Sequence, residues 1–151
     1  MILELFGNTD KIIENAIANG DYQNVNMEYV EDNDISIKID YVVKKEKELY
    51  IVFDVLTPEE FDQIYFEDII LKDQNDFVLY NKMGKKNNSK VVFDEKRAEK
   101  DKFIITTKIT EMEDNLIDLS NINVEIRKIK CLKENDINLE NGCWNFKIDI
   151  K

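Results

Sequence analysis

The chain has 151 residues, 43% hydrophobic and 10% aromatic, a balance that fits one folded domain and not a disordered segment. Its formal charge of -11 argues against nucleic acid or anionic lipid as partner, since both require a basic face, and is compatible with a basic protein partner. Histidine is absent, which removes the commonest general base and zinc ligand, and two cysteines cannot complete a four-ligand zinc site.

Met1–Gly7 is apolar but short, a single helical turn or the remnant of a segment continuing upstream. From Asp10 the spacing predicts a helix, with Ile12, Ile13, Ala16 and Ile17 on one face and Thr9 or Asp10 as N-cap. Asn19-Gly20 ends it, glycine being the residue that tolerates the left-handed C-cap. Val25, Met27 and Tyr29 then alternate with polar residues as a first strand, and Glu31-Asp32-Asn33-Asp34 reads as a turn.

Ile35–Leu56 is the segment on which the scaffold is built. Ile35, Ile37, Ile39, Tyr41 and Val43 alternate with polar residues, the pattern of a strand with one buried face. After a charged turn at Lys44–Glu48, Leu49–Leu56 is apolar on both phases except at Asp54, as in a strand covered on both sides. Thr57-Pro58-Glu59-Glu60 matches a capping box and predicts a short helix to about Gln63.

Ile69–Lys72, a turn at Asp73–Asp76, and Phe77–Tyr80 follow. Met83–Lys90 reads as a polar mobile loop, Val91–Phe93 as a short strand, and Asp94–Lys102 as a charged connection. Phe103–Thr110 alternates Phe103, Ile105, Thr107 and Ile109 on one face. In Val124–Leu132 the apolar phase changes between Ile126 and Ile129, which predicts a bulge. The last strand, Trp144 to Ile150, alternates without error. About eight strands at this spacing predict an immunoglobulin-like antiparallel β-sandwich with a short N-terminal helix. Residues 1–24 are expected to form a helical lead-in packed on the sandwich, and residues 25–151 the sandwich itself.

The acidic clusters at 31–34, 73–76 and 111–114 lack the Asp-x-Asp-x-Asp-Gly spacing of a calcium loop, so turn chemistry is the simpler account of them. Cys131 and Cys143 are either two small buried hydrophobes or, if their strands are neighbours, a disulfide. Trp144 reads as a core residue and not a ligand platform. Lys82, Lys85, Lys86 and Lys90 make a basic tract in an acidic molecule, either a solvated loop or a contact for an acidic partner. No phosphate loop, serine elbow or dinucleotide fingerprint is present, so neither an enzyme nor a cofactor is expected. No apolar run approaches the ~20 residues of a membrane span, and Glu4 and Asp10 stand where a signal peptide is basic. The chain as given is expected to be soluble.

Asn15, Ala16, Ile17, Gly20, Tyr22, Gln23 and Asn24, with Asp21 inserted after the glycine, precede the first strand. The chain closes on Gly142-Cys143-Trp144-Asn145-Phe146-Lys147-Ile148-Asp149-Ile150. On these motifs, from about Lys11 to the end, the sequence resembles a poorly characterised extracytoplasmic domain of anti-sigma-factor-like, single-pass membrane proteins of Gram-positive bacteria. The resemblance implies a non-catalytic sensing or interaction domain, located outside the cytoplasm, with a protein partner or envelope ligand. In the family a sigma-binding segment and a membrane helix precede this domain. The sequence contains neither, so contact with the membrane would run through a segment absent from this chain, with Met1 a start just outside it. The alternative is a secreted or cell-surface adhesion or structural module.

Overall fold

The computed structural model describes residues 8–45, 48–82, 86–87, 89–111 and 119–150. Helix α1 spans Asn8–Asn19 and ends as the Asn19-Gly20 pair predicts. Gly20 adopts φ +76°, its N–H donates to the Ile17 carbonyl at 3.2 Å, and the Asp21 N–H donates to that of Ala16 at 2.7 Å. This is the paired capping of a Schellman turn.

The strands are β1 (Gln23–Asn24), β2 (Val30–Asp32), β3 (Ile35–Lys45), β4 (Glu48–Leu56), β5 (Gln63–Asp73), β6 (Val78–Asn81), β7 (Lys86–Asn87), β8 (Ser89–Glu99), β9 (Lys102–Glu111), β10 (Asn121–Lys133) and β11 (Asp136–Asp149). They form two antiparallel sheets. One has the order β1-β3-β4-β9-β8 with β2 also on β3, and the other β11-β10-β5-β6-β7. Taking β3 as the first long strand, the order is A-B-E-D facing G-F-C, with the short β1 and β2 added on A and β6 and β7 added beyond C, the immunoglobulin-like arrangement.

Inner faces of both sheets meet in one apolar core. Ile35, Ile37 and Ile39 of β3 and Leu49, Ile51, Phe53 and Val55 of β4 pack toward Phe66, Ile69 and Leu71 of β5 and toward Trp144, Phe146 and Ile148 of β11. Phe53 makes edge contacts with Phe66 and Phe146, at centroid separations of 5.1 and 6.3 Å. The other face of β4 is also covered: Tyr50 and Val52, with Val43, lie under Ile13 and Ala16 of α1. A strand roofed by a helix and floored by a sheet is buried on both sides, which is why Leu49–Val55 is apolar on both phases except at Asp54.

Several expectations are corrected. The uninterrupted alternation from Ile35 to Val43 breaks at Asp40, where the β3–β4 register slips between Ile39 and Tyr41. Beyond that bulge Val42 joins the sandwich core, while Tyr41 and Val43 turn to the helix side. The helix expected at 57–63 does not form. The Thr57 N–H donates to the Asp101 carbonyl at 2.9 Å, its hydroxyl donates to the Glu59 carbonyl at 2.8 Å, and the Asp62 N–H donates to Leu132 at 2.7 Å. With Phe61 buried between these anchors, tertiary bonds replace the capping box.

The strand expected over Val25–Tyr29 does not form, and these residues link β1 to β2. Between them the Met27 N–H turns back to the Val25 carbonyl, and the Met27 Sδ accepts the Ile39 N–H at 3.4 Å, so a thioether stands where a ladder carbonyl is expected. Most of the charged connection 94–102 belongs to β8, an edge strand whose charges suit its position. Within the expected loop 83–90, residues 86–87 and 89–90 are strand, while Met83, Gly84, Lys85 and Asn88 lie outside the described residues. The predicted bulge in β10 is present between Ile126 and Lys128, and the 31–34 turn is a tight hairpin with Asn33 at φ 49° and Asp34 at φ 63°.

Candidate functional site

β10 and β11 are joined by the two-residue turn Glu134-Asn135, closed by the pair Lys133 and Asp136. Glu134 takes φ 54°, and its N–H donates to Asp62 Oδ2 at 2.7 Å. A two-residue hairpin directs the backbone groups of Asp136, Asn138 and Glu140 toward β10. Those of Ile137, Leu139 and Asn141 therefore turn to the opposite edge. β11 is the last strand of its sheet, so among the described residues that edge carries no further strand.

From Asn141 onward the edge is shielded. The Asn33 Nδ2 donates to the Asn141 carbonyl at 3.0 Å, Asp32 Oδ2 accepts the Cys143 N–H at 2.7 Å, and the Gln23 Nε2 donates to the Asp149 carbonyl. Asn33 Nδ2 also reaches the Glu140 side chain, donating to its Oε2 at 2.8 Å, but before Asn141 no hydrogen bond to the outward backbone groups of Ile137 and Leu139 is seen among the described residues. Here stand the two most exposed large apolar side chains described, Ile137 at 62% and Leu139 at 52%. Their register partners Leu132 and Lys130, and Tyr65 beyond Lys130, continue the same outer face as half-buried neighbours. The arrangement is an open strand edge next to an apolar strip, able to accept backbone hydrogen bonds and side-chain packing together.

A second polar feature lies on the outer face of the other sheet. Asp54 is buried and its Oδ2 lies 3.3 Å from Lys102 Nζ, while Asp40 lies 3.7 Å from Lys38 Nζ. The Lys38 ammonium also sits 4.7 Å from the centroid of the Tyr29 ring. Burial, followed by the Asp54 carboxylate, raises the pKa of the Tyr29 hydroxyl and of the Asp40 carboxyl. Each carboxylate has an ammonium beside it, so the cluster is a partly exposed ion-pair network in which burial and the mutual repulsion of Asp40 and Asp54 are only partly offset. A groove of about 730 Å³ lies between the end of α1 and the end of β3, with Asn15, Asn19, Tyr22 and Lys44 in its walls. Among the described residues no three acidic, cysteine or histidine side chains are placed to hold a metal.

The residues singled out from sequence are placed as follows. Lys82 points inward: its Nζ donates to the Phe66 carbonyl at 2.9 Å and lies 6.0 Å from the Phe93 ring centroid. Lys86 pairs with Asn81 and Lys90 with Thr110 in separate sheets, and Lys85 lies outside the described residues. Cys131 and Cys143 are free, correcting the disulfide alternative. Cys131 pairs with Asn138, and Cys143 lies five residues further along β11. That is about 16 Å at roughly 3.3 Å per residue, far beyond disulfide reach. Cys131 is buried in the core while Cys143 is exposed. The turn at 73–76 is turn chemistry, with Asp73 Oδ1 accepting the N–H groups of Asn75 and Phe77 at 2.8 and 2.9 Å. Of the 111–114 cluster, Met112, Glu113 and Asp114 lie outside the described residues.

Ile137 and Leu139 escaped the sequence reading. Glu134-Asn135 lacks the Asn-Gly or Asp-Gly signature of a tight hairpin, so no turn dipeptide marks the start of β11. The two-apart spacing of these apolar residues was the available signal.

No protein-family model matches the chain, and no curated protein matches it. Among solved structures it is similar to the conserved domain protein from Bacillus anthracis, with a TM-score of 0.63 and 16% identity. The match covers 86% of this chain and 41% of that one. At that identity the likeness carries the fold alone, and the chain spans less than half the length of its neighbour.

Proposed function

We propose that this chain is a non-catalytic interaction domain, the extracytoplasmic sensing portion of a membrane-anchored anti-sigma-factor-like regulator, which binds a protein partner through an exposed strand edge. The observation that carries the reading is the contrast along β11. Its edge is capped by Asn33, Asp32 and Gln23 from Asn141 onward, whereas Ile137 and Leu139 stand open to solvent. Leaving two large aliphatic side chains on a free edge is an aggregation hazard, and a docked partner gives that hazard a purpose. The resemblance in the 15–24 segment and in the Gly142–Ile150 strand supplies the cellular setting. A partner would bias the regulator by binding one of its conformations better than another.

The exposed Cys143 thiol provides the test of location. Intact cells producing the full-length protein are treated with a membrane-impermeant maleimide, and Cys143 is expected to be labelled in material that sediments with membranes. Labelling only after lysis rejects an extracytoplasmic position. Labelled protein free in the medium favours the secreted module instead.

A further inference from the structure

We propose that Asp136–Glu140 of β11 is a docking edge for an extended segment of a partner protein in which basic and apolar side chains alternate. This rests on the interaction reading above and specifies the chemistry of the partner. In an added strand, residues opposite Ile137 and Leu139 share their face and receive four outward backbone groups, the N–H and C=O of each. Apolar side chains there cover the exposed aliphatics and extend the strip already begun by Leu132 and Tyr65. On the other face the residues opposite Asp136 and Glu140 meet one carboxylate each, that of Glu140 already accepting from the neutral Asn33 amide at 2.8 Å and keeping its charge, so basic side chains fit both positions. The required pattern is basic, apolar, any, apolar, basic. It is symmetric about Asn138 and is satisfied by either strand direction.

The same register argues against a second copy of this chain. Antiparallel pairing of the stretch with itself about Asn138 places Asp136 opposite Glu140 twice, between two molecules that each carry a net charge of -11.

The test is an amide NMR and calorimetric titration of the 151-residue chain with three synthetic heptapeptides, TKVTVKT, TEVTVET and TKTTTKT. The first is expected to shift the amides of Ile137 and Leu139 and to bind at least about tenfold more tightly than the other two, a difference of roughly 1.4 kcal/mol. The affinity is expected to fall with added salt. The double variant Ile137→Thr, Leu139→Thr keeps β-favouring residues at both sites. It is expected to retain the wild-type fold by circular dichroism and to weaken the first peptide about tenfold. Asp136→Lys is expected to narrow or invert the preference for TKVTVKT over TEVTVET. Equal binding of the acidic and basic peptides at the same amides overturns the basic pattern while leaving strand docking intact. Absence of shifts at Ile137 and Leu139 with all three overturns the docking edge itself. Dimerisation in sedimentation equilibrium that is lost in the double variant makes a second copy the occupant and overturns the proposal.

Discussion

The Trp144 indole N–H donates to the Ile35 carbonyl at 2.9 Å, tying the last strand of one sheet to the first long strand of the other. Both residues are buried, so the bond sits inside the core and is not exchanged with water. Trp144→Phe removes the donor and part of the ring volume and is expected to cost about 2 kcal/mol. Trp144→Ala is expected to cost about 3–5 kcal/mol, both read from urea unfolding midpoints. Because Trp144 is the single tryptophan, its native emission is expected to be blue-shifted and to move to the red on unfolding. Red-shifted emission before denaturant is added would contradict its burial.

Gly142 exists for the sake of the same ring. A Cβ placed there would stand 2.5 Å from the Trp144 Cη2 and 2.7 Å from its Cζ3, closer than nonbonded carbons approach. The ring is fully enclosed and has nowhere to retreat. Gly142→Ala is therefore expected to lower stability by about 1–3 kcal/mol, as overpacking does. A thermal melt unchanged from wild type would show that the bulge beside Gly142 absorbs the methyl.

Where the chain's own hydrophobic period matched its burial, the fold was legible beforehand. β4, β9 and the Trp144–Ile150 half of β11 were readable because each alternates, or is apolar throughout, in step with the layers covering it. The bulge in β10 announced itself as a phase change, and Gly20 as a helix stop. What failed depended on residues far away in sequence. The capping box at Thr57 is sound locally, but Asp101 and Leu132 claim the backbone amides that a helix would use. The slip at Asp40 left no local trace because Tyr41, Val42 and Val43 are all apolar enough for either face. The candidate docking edge was missed for a different reason. Exposed Ile137 and Leu139 look like any other apolar pair until the hairpin places them outside the sheet.

The two thiols are expected to differ sharply in reactivity. Burial, followed by the Glu140 and Glu59 carboxylates, pushes the Cys131 pKa up to about 12, so its thiolate is scarce at neutral pH. Cys143 is exposed. Treatment with iodoacetamide at pH 8 is expected to add one carbamidomethyl group to the native protein, at Cys143, and a second only in denaturant. Intact-mass analysis before and after unfolding reads this directly. Two rapid additions to the native protein would contradict the burial of Cys131, and none in denaturant without reductant would revive the intrachain disulfide.

Asp40 supplies the clearest pH dependence. It sits at the register slip of β3, and burial, with Asp54 next, raises its pKa above 3.8 while Lys38 and Lys102 offset only part of the rise. A raised folded value means that, between 3.8 and that value, the native state binds more protons than the unfolded chain. Stability attributable to Asp40 therefore falls as pH rises through this window, and the full deficit is present above it. Asp40→Asn abolishes the titration, and the Lys38 contact it loses is a partly exposed pair of little net value. The variant is expected to be more stable than wild type at pH 7, with the difference shrinking toward zero as the pH is lowered below 3.8, where the wild-type carboxyl is also neutral. Urea midpoints of the two proteins across that range decide the matter. A difference independent of pH would assign the effect to packing, and a variant less stable at pH 7 would mean that the Lys38 ion pair outweighs the repulsion from Asp54.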